Sequence, residues 1–364
     1  MTCKDIFSIL PSRKMDFLSL EQMKTLGRKI VIKGIQVLLL LFFVWFAPWA
    51  VAQGEELAKV SFIPHWIPQA QFAGYYVAYE KGFYRKFKLS VDILRGGPER
   101  PPSKLLEKGQ ADFGTMFLSS GIVRRAKGVK LIDIAQIGQR SALMLVAKKS
   151  SGIQTPTDIQ GKKVGLWGDD FRIQPQSFFQ RYNLAVKIIP QSTTLNLFLR
   201  GGVDVASAMW YNEYHMLLAA GLDADELTVF FLANHGLNFP EDGIYCMEDT
   251  FKNHPELCHH FVQASLEGWQ YAFAHPKEAL DIVMKYVTDA NVATNRMHQK
   301  WMLARMKDII LPPGTDIPLG NLRAGTYYQV AQELKKSGLI DNIPNYHEFF
   351  INLVGDAKKQ KPGS

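Results

Sequence analysis

Phe62-Ile63-Pro64-His65-Trp66-Ile67-Pro68-Gln69-Ala70-Gln71-Phe72-Ala73-Gly74-Tyr75-Tyr76, continued shortly by Lys81-Gly82-Phe83-Tyr84, is the stretch on which the fold turns. The apolar run from Lys59 to Ile63 just ahead of it is strand-like. Phe72, Tyr75, Tyr76 and Tyr79 then recur at i, i+3, i+4 and i+7, one stripe of a helix, and Gly82 stands where a C-capping glycine belongs. Leu89, Val91 and Ile93 alternate as a second strand. The unit is strand, loop, helix, strand. Its loop gathers a Trp, a His and two Gln at a helix N-terminus, where backbone N–H groups and the positive dipole end face outward.

The same alternation continues, which argues an α/β fold with mainly parallel sheets. Ala111 to Met116, Leu131 to Gly138 and Ala142 to Ala147 read as strands, and Ser119-Ser120-Gly121 opens a helix. A second block begins near Thr155, with strands at Val164, at Val186 to Pro190 and at Val203 to Ala208, and a loop Gly168-Asp169-Asp170-Phe171. Lys108-Gly109-Gln110-Ala111-Asp112-Phe113-Gly114 is echoed by Arg200-Gly201-Gly202-Val203-Asp204-Val205-Ala206, which suggests two similarly built lobes. From Gly243 a strand and then long helical patterns follow. Residues 57–147 are expected in lobe one and 150–234 in lobe two, with 235–355 returning to lobe one and adding C-terminal helices. The crossovers near Ala147 and Asn234 would form a hinge.

Of 364 residues, 47% are hydrophobic and 21% charged, as in a globular protein with room for a sizeable core. The net charge of +8 is uneven: residues 1–52 hold seven Lys/Arg and three Asp/Glu, leaving 35 basic against 31 acidic residues in the rest. So small and interspersed an excess argues against nucleic-acid binding. Lys24, Arg28, Lys29 and Lys33 precede an apolar run from Val37 to Ala52, and Ala50-Val51-Ala52 has the small residues of a cleavage site. Residues 1–52 therefore read as a signal peptide for export to the periplasm, with an uncleaved membrane anchor as the alternative; Met1, Met15 and Met23 are all candidate starts. Beyond it only Cys246 and Cys258 remain. Export permits a disulfide, but a strand-like and a helical setting favour two separately buried thiols. Neither a metal-ligand spacing nor a nucleophile triad or phosphate loop is evident, so no cofactor and no metal are expected.

The motif order resembles the periplasmic substrate-binding proteins of ABC importers, over roughly residues 58–290. The carrying motifs are Trp66-x-Pro68-Gln69-Ala70, Glu80-Lys81-Gly82-Phe83-Tyr84, Gly109-x-Ala111-Asp112-Phe113-Gly114, Gly161-Lys162-Lys163-Val164-Gly165 and Val203-Asp204-Val205-Ala206. It looks most like the branch related to fungal thiamine-pyrimidine synthase and to bacterial binders of thiamine pyrimidine precursors. The resemblance implies a type II two-lobe periplasmic binding protein, each lobe a sheet flanked by helices, with the ligand in the cleft between lobes. It implies a monomer that delivers an aminopyrimidine-like solute to an ABC permease in the inner membrane. The branch's first loop is matched by Trp66, Pro68 and Gln69, and its aromatic pair, Asn and Glu by Trp210, Tyr211, Asn212 and Glu213. A flat aminopyrimidine wants an aromatic face and a carboxylate acceptor; Trp66 or Tyr211 would supply the face and Glu213 the carboxylate. Where the synthase carries a Lys and a His, this chain has Met116 and Ser120, and the synthase's cysteine run is replaced by Leu237 to Glu241. Binding without chemistry is the expectation. Ser119 at a helix start, Asp170 on the lobe-two loop and Glu241 at the second crossover complete the candidate ligand contacts. Other solutes, such as an alkanesulfonate or nitrate, are the rival within the fold.

Overall fold

The computed structural model describes residues 19–25, 27, 28, 31 and 56–354. Met1–Glu55 and Glu56–Ser364 are separate compact units. In the first, residues 20–25 are helical, and the apolar run 37–52 lies outside the described residues. Among the described residues no helix is long and apolar enough to cross a membrane. Everything that follows concerns the second unit.

Strand β1 (Ala58–Ile63) buries Phe62 and Ile63 completely. The loop after it tightens into a 3₁₀ turn, Ala70–Phe72, which runs into helix α1 (Ala73–Glu80). Phe72, Tyr75 and Tyr76 of the aromatic stripe are buried, whereas Tyr79 is 41% exposed. The helix ends as expected at Gly82, whose φ of +75° only glycine adopts without strain. β2 (Leu89–Ile93) and β3 (Phe113–Phe117) both pair parallel with β1. β3 starts two residues later than the sequence pattern suggests, because the Asp112 carboxylate accepts from Ser61 N at 2.7 Å and from Ser61 Oγ at 2.7 Å. Helix α2 (Leu118–Ala126) then leads to β4 (Leu131–Gln136).

β5 (Leu143–Lys148), β6 (Lys163–Leu166), β7 (Lys187–Pro190), β8 (Val205–Met209) and β9 (Leu227–Phe231) build a second sheet in the order β7-β6-β8-β5-β9. Helix α3 (Ile173–Arg181) follows β6, and α4 (Glu213–Ala219) follows β8. β10 (Asp242–Met247) returns to the first sheet, giving β2-β1-β3-β10-β4. Both sheets are mixed: β10 runs antiparallel to β3 and β4, and β5 antiparallel to β8 and β9. The last point corrects the expected boundary. Residues 143–147 do not close the first lobe; β5 is hydrogen-bonded between β8 and β9, so the chain crosses between sheets over residues 137–142 and recrosses over 232–241.

Helices α5 (Pro255–Ala274), α6 (Pro276–Asp289), α7 (Arg296–Ile310) and α8 (Ala324–Lys336) follow, with one more helical turn at Tyr346–Phe349. Cys246 on β10 and Cys258 on α5 are free thiols, both buried. They are neighbours rather than separate: burial pushes the Cys246 thiol up, and the hydrogen bond and charge of Cys258 add to it.

Candidate functional site

The carboxyl ends of parallel strands from both sheets meet at one cleft, the place where open α/β sheets bind ligands. His65 and Trp66 come from the loop after β1, Met116 and Phe117 from the end of β3, and Ser120 from the first turn of α2. Facing them, Trp167, Asp170 and Phe171 follow β6, and Gln191, Ser192 and Thr193 follow β7. Together with Gly97, Pro98, Pro101 and Pro102 these enclose a cavity of about 120 Å³.

Phe171 stands at the centre. Its ring centroid lies 5.1 Å from Trp66, 5.2 Å from Phe117, 5.7 Å from Trp167 and 5.8 Å from His65. It also borders two smaller chambers of about 10 Å³ each, room for about one water molecule apiece. One contains Ser119, Gln174 and Glu241; the other contains Gln69, Gln71, Tyr211, Asn212 and Glu213, with Trp66 at its mouth. Phe171 borders all three spaces, while Phe117 and Asp170 are shared by the first two and His65, Trp66 and Trp167 by the main cavity and the third.

The polar groups sort into satisfied and unsatisfied ones. Buried polar atoms are almost always paired, so exceptions lining a cavity point to a ligand. Ser120 Oγ is buried without a partner and belongs to a residue of the main cavity; Gln191 Oε1 is also without a partner, but it packs against Gly165 of β6 while Gln191 Nε2 donates to Ser207 O at 2.8 Å. His65, by contrast, is held: its Nδ1 lies 3.1 Å from Thr115 Oγ1 and 3.2 Å from Asp242 Oδ1. That distance would suit an ion pair, but burial holds His65 down at about 3 and pushes Asp242 up to about 8, so both are neutral near neutral pH. Gln71 Nε2 donates to Asp242 Oδ2 at 3.3 Å, and Gln69 Nε2 to Gln71 Oε1 at 2.7 Å. Burial raises Glu213 to about 7, and burial followed by the charge of Asp242 raises Glu241 to about 8. Burial, then Glu241, Asp242 and Glu213, pushes the Tyr211 hydroxyl well up. Among the described residues no group of three or more His, Cys, Asp or Glu is arranged to hold a metal ion.

The eight residues singled out from the sequence all reach this cleft, but in different chambers. Trp66 and Asp170 line the main cavity. Asp170 is engaged across the cleft, accepting from Arg124 of α2 at 3.0 Å. Ser119 and Glu241 share one small chamber, and Glu241 Oε1 accepts from Ala142 N at 2.5 Å. Gln69, Tyr211, Asn212 and Glu213 share the other. Trp66, Tyr211 and Glu213, expected to clamp the ligand, line one space together, and that space is too small for a ring. Trp66 and Glu213 are both buried, 8% and 4% exposed. Glu213 is locally satisfied, accepting from Met209 N at 3.0 Å and Asn212 Nδ2 at 2.7 Å.

Trp167, Phe117, Phe171 and Gln191 stood outside the candidate set. For Trp167 a signal existed: like Trp66 it follows a strand end, between Leu166 and the turn glycine Gly168. Met116 and Ser120, where the fungal synthase is expected to carry Lys and His, do line the main cavity.

Comparison with known proteins agrees with this architecture. The chain is 26% identical over 250 residues to the riboflavin-binding protein RibY of Chloroflexus aurantiacus, covering 65% of this chain and 68% of that one. It is 22% identical over 268 residues to the formylaminopyrimidine-binding protein of Halalkalibacterium halodurans, covering 71% and 80%. The fold superposes on the periplasmic aliphatic sulphonate binding protein SsuA of Escherichia coli with a TM-score of 0.59 at 14% identity, covering 79% of this chain and 94% of that one. The fold is therefore that of the periplasmic substrate-binding proteins. A family model described as "NMT1/THI5 like" matches residues 69–279, more than half of the sequence, and the chain belongs to that family.

Proposed function

We propose that this protein is the solute-binding component of an ABC importer, exported to the periplasm, and that it closes its two halves on a flat nitrogen heterocycle of the aminopyrimidine type. The observation that carries the reading is the main cavity of the cleft: aromatic walls from both halves, Trp66 and Phe117 against Trp167 and Phe171, with Ser120, whose hydroxyl has no partner, among the lining residues. Aromatic walls accept a planar ring, and a hydroxyl such as that of Ser120 can pair with a ring nitrogen or an exocyclic amine. Tyr211 and Glu213 form the deep end of the site, reached when the Phe171 ring turns aside. A ligand that touches both halves favours the closed state by its differential affinity, which is the signal a permease partner reads.

The names of two relatives support the ligand class, since riboflavin and formylaminopyrimidine both present a pyrimidine ring. Sulfonate or nitrate is favoured less: no Lys or Arg is among the described residues that line the cavity, and Arg124 and Arg172 close to it are engaged by Asp170 and by Trp167 O. Binding rather than turnover is favoured because a thioether and a hydroxyl, at Met116 and Ser120, stand where the related synthase carries its reactive pair. Mass spectrometry of small molecules released from purified protein tests the reading. An aminopyrimidine or a pyrimidine-containing fused ring is expected; recovery of an alkanesulfonate or another non-aromatic anion would overturn it.

A further inference from the structure

Behind the cleft, helix α7 touches both halves. Toward the first, Gln299 Oε1 accepts from Ala70 N at 2.7 Å and Ile309 O accepts from Gln139 N at 2.9 Å. Toward the second, Trp301 Nε1 donates to Trp210 O at 3.3 Å, and the Arg305 guanidinium lies 4.9 Å from the Trp210 ring centre. Between these contacts His298, buried, meets His215 of α4, with their Nδ1 atoms 2.8 Å apart.

Hydrogen bonds run from this pair to the cleft in a fixed order. Asn212 Nδ2 donates to Glu213 Oε1 at 2.7 Å, so Asn212 Oδ1 is left to accept. His298 Nε2 lies 2.7 Å from that oxygen and must carry the hydrogen. A neutral imidazole has one N–H, so His298 Nδ1 is the acceptor and His215 Nδ1–H the donor. Each link dictates the tautomer of the next, and the chain ends on the carboxylate at the deep end of the proposed site.

We propose that His298 is a positioning residue for the ligand site: it orients the Asn212 amide that holds Glu213, and through His215 it straps α7 to the second half. The role in ligand binding rests on the functional reading above; the strap does not. A proton on His298 would set two Nδ1–H donors face to face and break the link, whereas a proton on His215 would go to its Nε2 and leave the Nδ1–H donating. Burial, and then the charge of His215, keeps His298 down at about 4, and burial lowers His215 as well. With folded values below the ordinary 6.5, the strap is complete above that value and is lost as pH falls through about 4. The neighbouring charges are themselves engaged. Arg305 lies 4.9 Å from the Trp301 ring on which His215 stacks, and its Nε is 2.9 Å from Asp308. Arg296 is 2.6 Å from Asp281.

Two measurements decide. Long-range ¹H–¹⁵N spectra of the ligand-free protein at neutral pH, assigned with His298→Gln, should show His298 as the neutral Nε2–H tautomer and His215 as Nδ1–H. An Nδ1–H or cationic His298 would overturn the strap. In titrations with 4-amino-5-hydroxymethyl-2-methylpyrimidine, His298→Ala should bind about fivefold more weakly. His298→Gln, whose amide still donates to Asn212, should recover most of that loss and flatten the acid limb of the affinity profile. A His298→Ala protein that binds like the parent would overturn the positioning role. A parent that does not bind the pyrimidine at all sinks the ligand reading and the positioning role with it, while the tautomers still decide the strap.

Discussion

Asp112 in the first half of the molecule and Asp204 in the second occupy equivalent places. Each immediately precedes a strand, and each accepts the N–H of the residue beside the parallel pairing: Ser61 N at 2.7 Å and Lys163 N at 2.8 Å. The registers match, with Phe62 opposite Phe113 and Val164 opposite Val205. Above this shared frame the rims diverge. A Cβ at Gly96, on the first-half rim, would lie 2.0 Å from Pro64 O and 2.4 Å from Trp66 O; at Gly168, on the second-half rim, nothing lies within 4 Å. The first half presents a fixed wall backed by the His65–Thr115–Asp242 network, and the second a short turn around Phe171 with space to readjust. One frame repeated twice builds the cleft, and the two rims differ in how closely backbone crowds their glycines.

The largest test of that contrast is pH. Asp242 of the first half is raised to about 8 and Glu213 of the second to about 7. A carboxyl raised in the folded state adds stability that is complete below its unfolded value and is lost as pH rises through the folded one. Unfolding free energy should therefore fall between the ordinary carboxyl range and about pH 8, with a limiting slope of about 1.4 kcal/mol per pH unit for each group. Asp242→Asn should flatten the upper part of that slope more than Glu213→Gln does, as read from urea midpoints against pH. A stability profile unchanged by Asp242→Asn would remove the buried neutral carboxyl from the account.

Next comes the rim. Gly96→Ala should destabilise by about 3 kcal/mol through backbone overlap, and Gly168→Ala by no more than about 0.5 kcal/mol, by equilibrium denaturation. Equal effects would erase the difference between fixed and adjustable rims. Asp112→Ala should cost about 2 kcal/mol and Asp204→Ala about 1 kcal/mol, because Asp112 also accepts from Ser61 Oγ and Asp204 serves a more exposed strand end. The reverse order would break the equivalence of the two positions. Smallest is Arg124→Gln. It removes a cross-cleft pair whose side chains are 25% and 24% exposed, and thermal unfolding should register less than about 1 kcal/mol.

The frame was legible in the sequence because its signals are local. The alternation of Leu89, Val91 and Ile93, the αL glycine at 82 and the repeated Gly-x-x-Asp are each read within a few residues, and the echo of Asp112 in Asp204 proves to be one hydrogen-bonding device used twice. The boundary at residue 147 was misread because strand direction and sheet membership are tertiary facts: Leu143–Lys148 looks like any buried strand until β8 and β9 are seen on either side of it. The site was legible in part. Trp66 and Asp170 could be placed by their position after strand ends. Which chamber each candidate enters depends on where the Phe171 ring falls, and no pattern in the sequence carries that. The cavity that Gln191, Ser120 and Trp167 line likewise joins residues from two strand ends and a helix start, and Glu213 could not be known to be satisfied by its own neighbours.

The central claim is that the cavity between the halves binds a flat pyrimidine through contacts from both. Calorimetric titration of the parent, Trp66→Ala and Gln191→Ala with 4-amino-5-hydroxymethyl-2-methylpyrimidine tests it most directly, one wall residue from each half. Saturable binding by the parent is expected, with each variant folded and weaker by about 1 kcal/mol or more. If both folded variants bind as tightly as the parent, the ligand lies elsewhere and the claim is contradicted.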